Sequence, residues 1–406
     1  MTFLDTSRTP WGRSLRWLAA LGAAAVLAAC GGGGGGGGDS GTTGSLRLAM
    51  TDAPSCGFDH IWVTVEKVSV HQSAAAADSD SGWVDLTLSP ARRIDLLALT
   101  NGVLEELGTI PLQAGSYSQI RLVLATNTGT GSGALANALQ PTGGNVIALS
   151  TPSAQQSGLK LQAHFDVAAG QMADLVLDFD ACKSIVKAGN SGQYILKPVV
   201  SVHQRLVAGL QGFVSTTLPR ASTTVRAQLN GVTVRSTSPD GAGRFSIPYL
   251  AAGTYVLVVQ SDGRATAVVT GVPVSTGTTT MVNGTATAIT PPASIMADVA
   301  GAVTLTTGST TSPLTDASAR ALQALTGGPT IELGDQAVDA TLGTYRFRLP
   351  VAAPVKAAFA TPLVFASDAA VAGLYTIQVR SPGRATQEKP AGIASGTSAT
   401  VNFGYP

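Results

Sequence analysis

The sequence predicts an all-β protein built from several Greek-key or immunoglobulin-like sandwiches, and three observations carry that expectation. Apolar residues recur at every second position in short runs, such as Ile61, Val63 and Val65, or Ile120, Leu122 and Leu124. That spacing puts one face of a strand into a core. Turn chemistry separates the runs, with Asn101-Gly102 and Asp240-Gly241 as examples. The second half of the chain also repeats itself, as repeated sandwich modules do.

Composition bounds the rest. A chain of 406 residues has room for two or three domains, and 44% apolar residues supply real cores, which excludes wholesale disorder. Only 12% of residues are charged and 5% are aromatic, with a formal charge of +1. Residues 1–29 hold Arg8, Arg13 and Arg16 against Asp5, a net +2, so the remainder carries −1. No basic stretch interleaved with aromatics is present to hold a phosphate backbone, so nucleic acid is not an expected partner.

The N-terminus reads as an export signal. Three arginines precede an apolar core from Trp17 to Ala29, which ends in the small pair Ala28-Ala29 just before Cys30. Thirteen residues of helix reach roughly 20 Å, short of the ~30 Å hydrocarbon layer, so a spanning helix is not expected. Leu27-Ala28-Ala29-Cys30 resembles the lipobox of bacterial lipoproteins. The resemblance implies removal of residues 1–29, acylation of Cys30 and a lipid anchor in the cell envelope. Gly31 in place of an aspartate implies the outer membrane. Residues 30–44, with glycines from Gly31 to Gly38, form a flexible tether spanning about 20 Å. They lack the Lys-Ser/Thr of a phosphate-binding loop.

A first sandwich is expected over residues 45–204. Ser45 to Met50 opens it, and Ile61, Val63 and Val65 followed by Val68 and Val70 switch parity at Glu66-Lys67, which a β-bulge explains. Gln72 to Gly82 reads as a hairpin loop, Trp83 to Leu88 and Ile94 to Leu99 as strands, and Thr126 to Thr142 as a polar loop. Gln119 to Leu124, Leu159 to Val167, Leu175 to Phe179 and Tyr194 to Val202 complete the strands. Leu48-Ala-Met-Thr-Asp-Ala-Pro54, Gly115-Ser-Tyr-Ser-Gln-Ile-Arg-Leu122, Leu177-Asp-Phe-Asp180 and Tyr194-Ile-Leu-Lys-Pro198 together resemble a bacterial lipoprotein domain family of unknown function. The resemblance implies a β-sandwich in the envelope and no catalytic residues.

Cys56 and Cys182 are the only cysteines besides Cys30. An even pair in an oxidising compartment favours a disulfide, with separate buried thiols as the alternative. No metal is expected, because His60, His71, His164 and His203 lack ligand spacing. Asp178 and Asp180 flank Phe179, so alternation places both carboxylates on one strand face with Asp174. Such a row suits a Ca²⁺ site or an acid/base pair. A solvated strand face with one aspartate capping a turn is the preferred reading. Asp52 in Thr-Asp-Ala-Pro has the same ambiguity, a polar or ligand-binding site residue on one reading and an Asx-type turn before Pro54 on the other.

Two copies of one smaller module are expected over 206–288 and 296–406. Ala252-Gly-Thr-Tyr255 matches Ala372-Gly-Leu-Tyr375, and Ser261-Asp-Gly-Arg-Ala-Thr266 matches Ser381-Pro-Gly-Arg-Ala-Thr386, both at an offset of 120 residues. Thr279 to Asn283 matches Ser398 to Asn402 at 119, but Arg244-Phe-Ser-Ile-Pro248 matches Arg346-Phe-Arg-Leu-Pro350 at only 102. The second copy therefore carries an insertion, most simply Val351 to Ser367. The order Gly-x-Val, Gly-Arg-Phe-Ser-Ile-Pro248 and Ala-Gly-Thr-Tyr255 resembles carboxypeptidase regulatory-like, or transthyretin-like, modules. These imply spacers or binding surfaces and no peptidase. A Lys–Asn isopeptide crosslink is excluded from the first copy, since no lysine lies between Lys197 and Lys356.

The resulting expectation is a lipid-anchored envelope protein without catalytic residues or cofactors. It would act as a surface scaffold or bind a carbohydrate, peptide or protein partner through loops 73–82 and 126–142. The alternatives are a hydrolase using Asp178 and Asp180, whose pair would sit in a concave pocket, and a Ca²⁺-stabilised adhesin.

Overall fold

Strands dominate, and the runs of alternating apolar residues are where they form. The computed structural model describes residues 43–52, 57–129, 135–152 and 158–406. The first sandwich holds β1 (Thr43–Asp52), β2 (Phe58–His71), β3 (Val84–Asp95), β4 (Glu105–Gln113), β5 (Gly115–Leu124) and β6 (Ala138–Pro141). It continues through β7 (Ile147–Ser150), β8 (Leu159–Val167), β9 (Met172–Phe179), the short helix α1 (Ala181–Ser184), β10 (Ile185–Lys187), β11 (Tyr194–Leu196) and β12 (Val200–Gln204). One sheet runs β12-β9-β1-β4; the other runs β10-β11-β7-β6-β2-β5-β8, with β3 on β2. Their inner faces share a core that includes Leu48, Val63, Ile120 and Phe179.

The bulge in β2 lies where the parity switch puts it, with a register shift between Val65 and Lys67 that leaves Glu66 exposed. Three expectations are corrected. Tyr194 to Val202 is not one strand: β11 and β12 belong to opposite sheets, with the chain crossing between them at Lys197 to Val199. Ile94 to Leu99 is not a strand throughout: Leu96–Leu99 forms a 3-10 turn whose Leu96 and Leu99 both point inward. The loop from Thr126 to Thr142 ends in β6, which pairs with β2, because Asn137 holds the chain there by accepting from Thr64 N and donating to Ala125 O.

The second sandwich holds β13 (Gly209–Phe213), β14 (Thr223–Leu229), β15 (Val232–Thr237), β16 (Arg244–Pro248), β17 (Gly253–Ser261), β18 (Ala267–Val274) and β19 (Thr279–Met281). The third holds β20 (Met296–Thr307), β21 (Thr310–Pro313), β22 (Ser318–Ala324), β23 (Thr330–Ala337), β24 (Thr344–Pro350) and β25 (Val355–Ala358). It ends with β26 (Ala366–Ser367), β27 (Leu374–Arg380), β28 (Gln387–Gly392), β29 (Ala399–Thr400) and β30 (Phe403–Tyr405). The topologies superimpose as the sequence repeat requires. Sheet β16-β13-β19 corresponds to β24-β20-β29/β30, and β15-β14-β17-β18 to β23-β22-β27-β28.

Two repeated motifs have local causes. In both copies the closing strand runs parallel to the opening one, β19 on β13 and β29 on β20. The shared asparagine then takes the next N–H: Asn283 Oδ1 accepts from Phe213 N (2.7 Å) and Asn402 Oδ1 from Ala302 N (2.9 Å). The closing strand passes so near that a Cβ on Gly301 would fall 1.8 Å from Val401 O. The Gly-x-Tyr signature makes a tyrosine corner. Tyr117 Oη donates to Gln113 O (3.1 Å) and Tyr255 Oη to Ala251 O (2.9 Å). Tyr375 Oη reaches Pro350 O (2.5 Å), across the insertion.

The insertion itself crosses to the neighbouring sandwich. β25 pairs in parallel with β18, extending that sheet to β15-β14-β17-β18-β25-β26. Val355, Phe359, Leu363 and Phe365 pack on the second core. The other face of the same sheet turns Val258 and Val268 into the third core. Burial on both faces explains why Val256-Leu-Val-Val259 and Ala267-Val-Val269 are continuous apolar runs instead of alternating ones. The three cores belong to one compact unit, Ser40–Pro406.

Candidate functional site

The aspartates singled out from the sequence lie where the three sandwiches meet. β9 carries Asp174 and Asp178 on the outer face of its sheet, Asp180 follows its end and Asp52 ends the neighbouring β1, but that face is covered at Asp178. Asp178 is 7% exposed, because the second sandwich brings β15 over it. Arg235 Nη2 lies 3.3 Å from Asp178 Oδ2, with His203 Nε2 at 3.9 Å from the same oxygen. The solvated strand face expected from alternation is thereby corrected: alternation identifies the face but not what packs against it. Asp174, on the same row, meets Arg47, and Arg205 at 3.8 Å.

Asp180 and Asp52 act together on α1. Asp180 is its N-cap, with Oδ1 accepting from Lys183 N (3.1 Å), as the turn-capping reading has it. Asp52, 3% exposed, accepts from Ala181 N through Oδ1 (3.0 Å). Its side chain thus holds a segment 129 residues away in sequence, a role the local-turn reading of Thr-Asp-Ala-Pro did not contain. Residues 53–56 lie outside the described residues, and so do Cys30, Cys56 and the tether from Gly31 to Thr42. Cys182 sits on α1.

Held this way, α1 packs between the second and third sandwiches. Lys183 Nζ lies 3.4 Å from Asp180 and 3.9 Å from Asp335 on β23. Arg320 bonds Glu332 Oε2 through Nε (2.7 Å), Gln378 Oε1 (3.0 Å) and Gly231 O of the second sandwich (2.9 Å). Gln228 completes the joint like a missing strand neighbour. Its Nε2 donates to Glu332 O (2.6 Å) and its Oε1 accepts from Glu332 N (3.0 Å). The joint pairs four acids, Asp178, Asp180, Glu332 and Asp335, with Lys183, Arg226, Arg235 and Arg320. Further contacts hold the sandwiches together. Thr237 Oγ1 meets the backbone and side chain of Asn101, and Gly189 N donates to Asp339 (2.9 Å).

Burial sets the proton affinities. It raises the carboxyls of Asp178 and Asp180 against the opposing pull of Arg235 and Lys183. Asp335 is pushed up to about 6 by burial. His203 is pushed down to about 4, first by burial and then by Arg235. Burial lowers Lys183, but Asp180, Glu332 and Asp335 outweigh it and leave the amine raised. Raised carboxyls in a cleft would suit acid/base chemistry. Here the partly open space lined by Asp180, Lys183, Arg226, Glu332 and Asp335 is only about 40 Å³. That has room for a water or two and no substrate.

Among the described residues no group of three or more His, Cys, Asp or Glu side chains is arranged to hold a metal ion. No helix among them is long and apolar enough to cross a membrane. Loop 73–82 is folded onto its own sandwich: Trp83 Nε1 donates to Ala77 O (2.9 Å) and Arg121 Nη2 to Ala76 O (2.8 Å). Sequence reasoning missed Arg226, Arg235, Arg320 and Glu332. For Arg226, Arg320 and Glu332 the signal was a charge between two core positions of a strand in a chain with only 12% charged residues; Arg235, between Val234 and Ser236, carried no such mark.

Residues 43–198 match a family described as a domain of unknown function, DUF4382. No curated protein matches the chain. Among solved structures it is similar to the Bacillus anthracis TIE protein, at 13% identity and a TM-score of 0.16, covering 90% of this chain and 50% of that one. It is also similar to GBS52, the minor pilin of Streptococcus agalactiae, at 10% identity and 0.18, covering 48% of this chain and 94% of that one. Two B repeat units of the Staphylococcus aureus collagen-binding protein match at 9% and 0.17, covering 90% and 100%. Scores this low carry no argument about function, and this chain spans half the length of the Bacillus anthracis protein.

Proposed function

We propose that the chain is an exported lipoprotein, anchored by acylated Cys30, that serves as a non-enzymatic scaffold or binding protein at the cell envelope. The supporting observation is that its most chemically capable cluster is used up as a joint. Asp178 and Asp180 are each compensated by a cation and closed behind the second and third sandwiches. What such a body offers a partner is a rigid outer surface. In this reading the tether, shortened to 31–42 because Thr43 and Gly44 already pair with β4, sets it clear of the lipid, a Cys56–Cys182 bridge closes 126 residues of the first sandwich, and 206–288 and 296–406 are regulatory-like modules. A carbohydrate or protein of the envelope is the partner class, and the outer membrane the location.

Two measurements test it. Cys30→Ser should move the protein from the membrane to the soluble fraction and abolish incorporation of labelled fatty acid; an unchanged membrane fraction would sink the anchor. Residues 40–406 immobilised on beads should retain a glycan or protein from solubilised envelopes. Recovery of nothing above a bare-bead control would count against the binding role.

A further inference from the structure

The segment 351–372 is spare to its own sandwich. Sheet β23-β22-β27-β28 of the third sandwich is complete without it, and the corresponding connection in the second copy is only Tyr249 to Ala252. Its ends stay with their own sandwich, where Val351 and Val371 pack on the third core and Val371 O accepts from Gln323 Nε2 (2.9 Å), but the contacts of its middle go to the neighbour. Val355 N donates to Thr266 O and Phe359 N to Thr270 O, both at 2.8 Å, bracketing the parallel ladder from Ala267–Val355 to Thr270–Ala358. Phe359, Leu363 and Phe365 cover the second core. To its own sandwich the segment is tied at Thr326, whose N–H donates to Asp368 Oδ2 (2.8 Å) and whose carbonyl takes Lys356.

Remove the segment and β18 becomes an edge strand with unpaired N–H and C=O groups beside buried Ala267, Val268 and Val269. An extended apolar strand in parallel register satisfies both needs: main-chain bonds give affinity and side-chain pockets give selectivity. We infer that the outer edge of β18 is a strand-acceptor site, closed in the isolated chain by its own strap 355–367, whose partner is the same strap from a second copy. Exchange keeps every contact at the edge and changes only the hinges, Val351 to Pro354 and Asp368 to Ala372. That is the condition under which swapping is cheap. Every copy carries both halves, so exchange couples molecules through a surface that the isolated chain hides. This inference does not depend on the lipid anchor or on a glycan or protein ligand.

The test uses residues 40–406 in two variants, Thr270→Cys and Ala358→Cys, which replace facing residues of the ladder. Mixed at high concentration, taken briefly through mild denaturant and back, then oxidised with oxidised glutathione, they should yield a disulfide-linked heterodimer identified by mass. Adding Phe359→Asp and Leu363→Asp to the Ala358→Cys chain should cut its yield at least tenfold. A heterodimer that survives those changes would show association through another surface and overturn the inference. So would a mixture that stays monomeric while both variants regain their near-ultraviolet spectra. If the cysteine variants fail to refold, the unmodified chain decides: after the same cycle its dimer fraction should rise with concentration in analytical ultracentrifugation. A strictly monomeric chain there refutes the exchange.

Discussion

Replacing Arg235 with leucine should destabilise the whole body, because Asp178 would lose its nearest cation in a place where water cannot take over. The pair is 3.3 Å apart, with side chains 4% and 10% exposed. Breaking a buried pair by removing one partner costs about 3–5 kcal/mol. The lower end applies here, since burial has already raised the Asp178 carboxyl and protonation offers an escape. We expect a loss of ~3 kcal/mol at neutral pH, shrinking as the pH falls and Asp178 takes up a proton. Asp178→Asn added to Arg235→Leu should recover most of it, to within about 1 kcal/mol of the parent, because no charge is then stranded. Urea unfolding of residues 40–406, followed by far-ultraviolet circular dichroism, gives the double-mutant cycle. A coupling of ~2 kcal/mol or more is expected. An Arg235→Leu chain within about 0.5 kcal/mol of the parent, or additive single effects, would refute the reading of this pair as part of the joint.

The joint's titration makes a second prediction. Asp335, held up to about 6, keeps a proton that the unfolded chain releases above its ordinary value of 3.8, so its contribution falls as the pH rises between them. His203, pushed down to about 4, refuses a proton that the unfolded chain takes below 6.5, so its contribution rises over nearly the same window. The two offset each other, with a ceiling of ~3 kcal/mol apiece. Relative to the parent, His203→Gln should lose stability between about pH 4 and 6, and Asp335→Asn should gain it; identical slopes in urea midpoints would rule this out. Gly301→Ala should cost several kcal/mol, about 3 or more, as β29 is pushed from β20, whereas exposed Gly308→Ala should cost under about 2; equal melting temperatures would contradict the close approach. Cys182→Ser should lower stability by up to ~4–5 kcal/mol if the proposed bridge forms, and no change, read by the same urea unfolding, would remove it from the account.

Much of the fold was legible because alternation, turn residues and repeat offsets are local signals. The β2 bulge and the pairing of the two copies each had a residue-level mark, whereas the tyrosine corners stood in the Gly-x-Tyr motifs without being read as such. The insertion was legible as a length difference, yet its destination was not, since Val355 to Ala358 says "strand" without naming the neighbour. Ile94 to Leu99 misled because an apolar run satisfies a 3-10 turn as well as a strand when Leu96 and Leu99 both reach the core. The aspartate row was found in sequence and misplaced in environment. Whether Asp178 meets solvent is decided by Arg235, 57 residues further on, and by packing between sandwiches, which no periodicity encodes. Asp52 shows the same limit, a local motif spent on a distant helix.

The parallel pairing of closing on opening strands, β19 on β13 and β29 and β30 on β20, sets how each repeat would yield to a mechanical load. Tension applied between those two strands runs along them and across their hydrogen bonds, so the bonds must rupture together and not one after another as in a peeled hairpin. Asn283 and Asn402, each bonded back to the opening strand, add to that clamp. A body held against flow or a moving surface would keep its shape until the clamp fails as a whole.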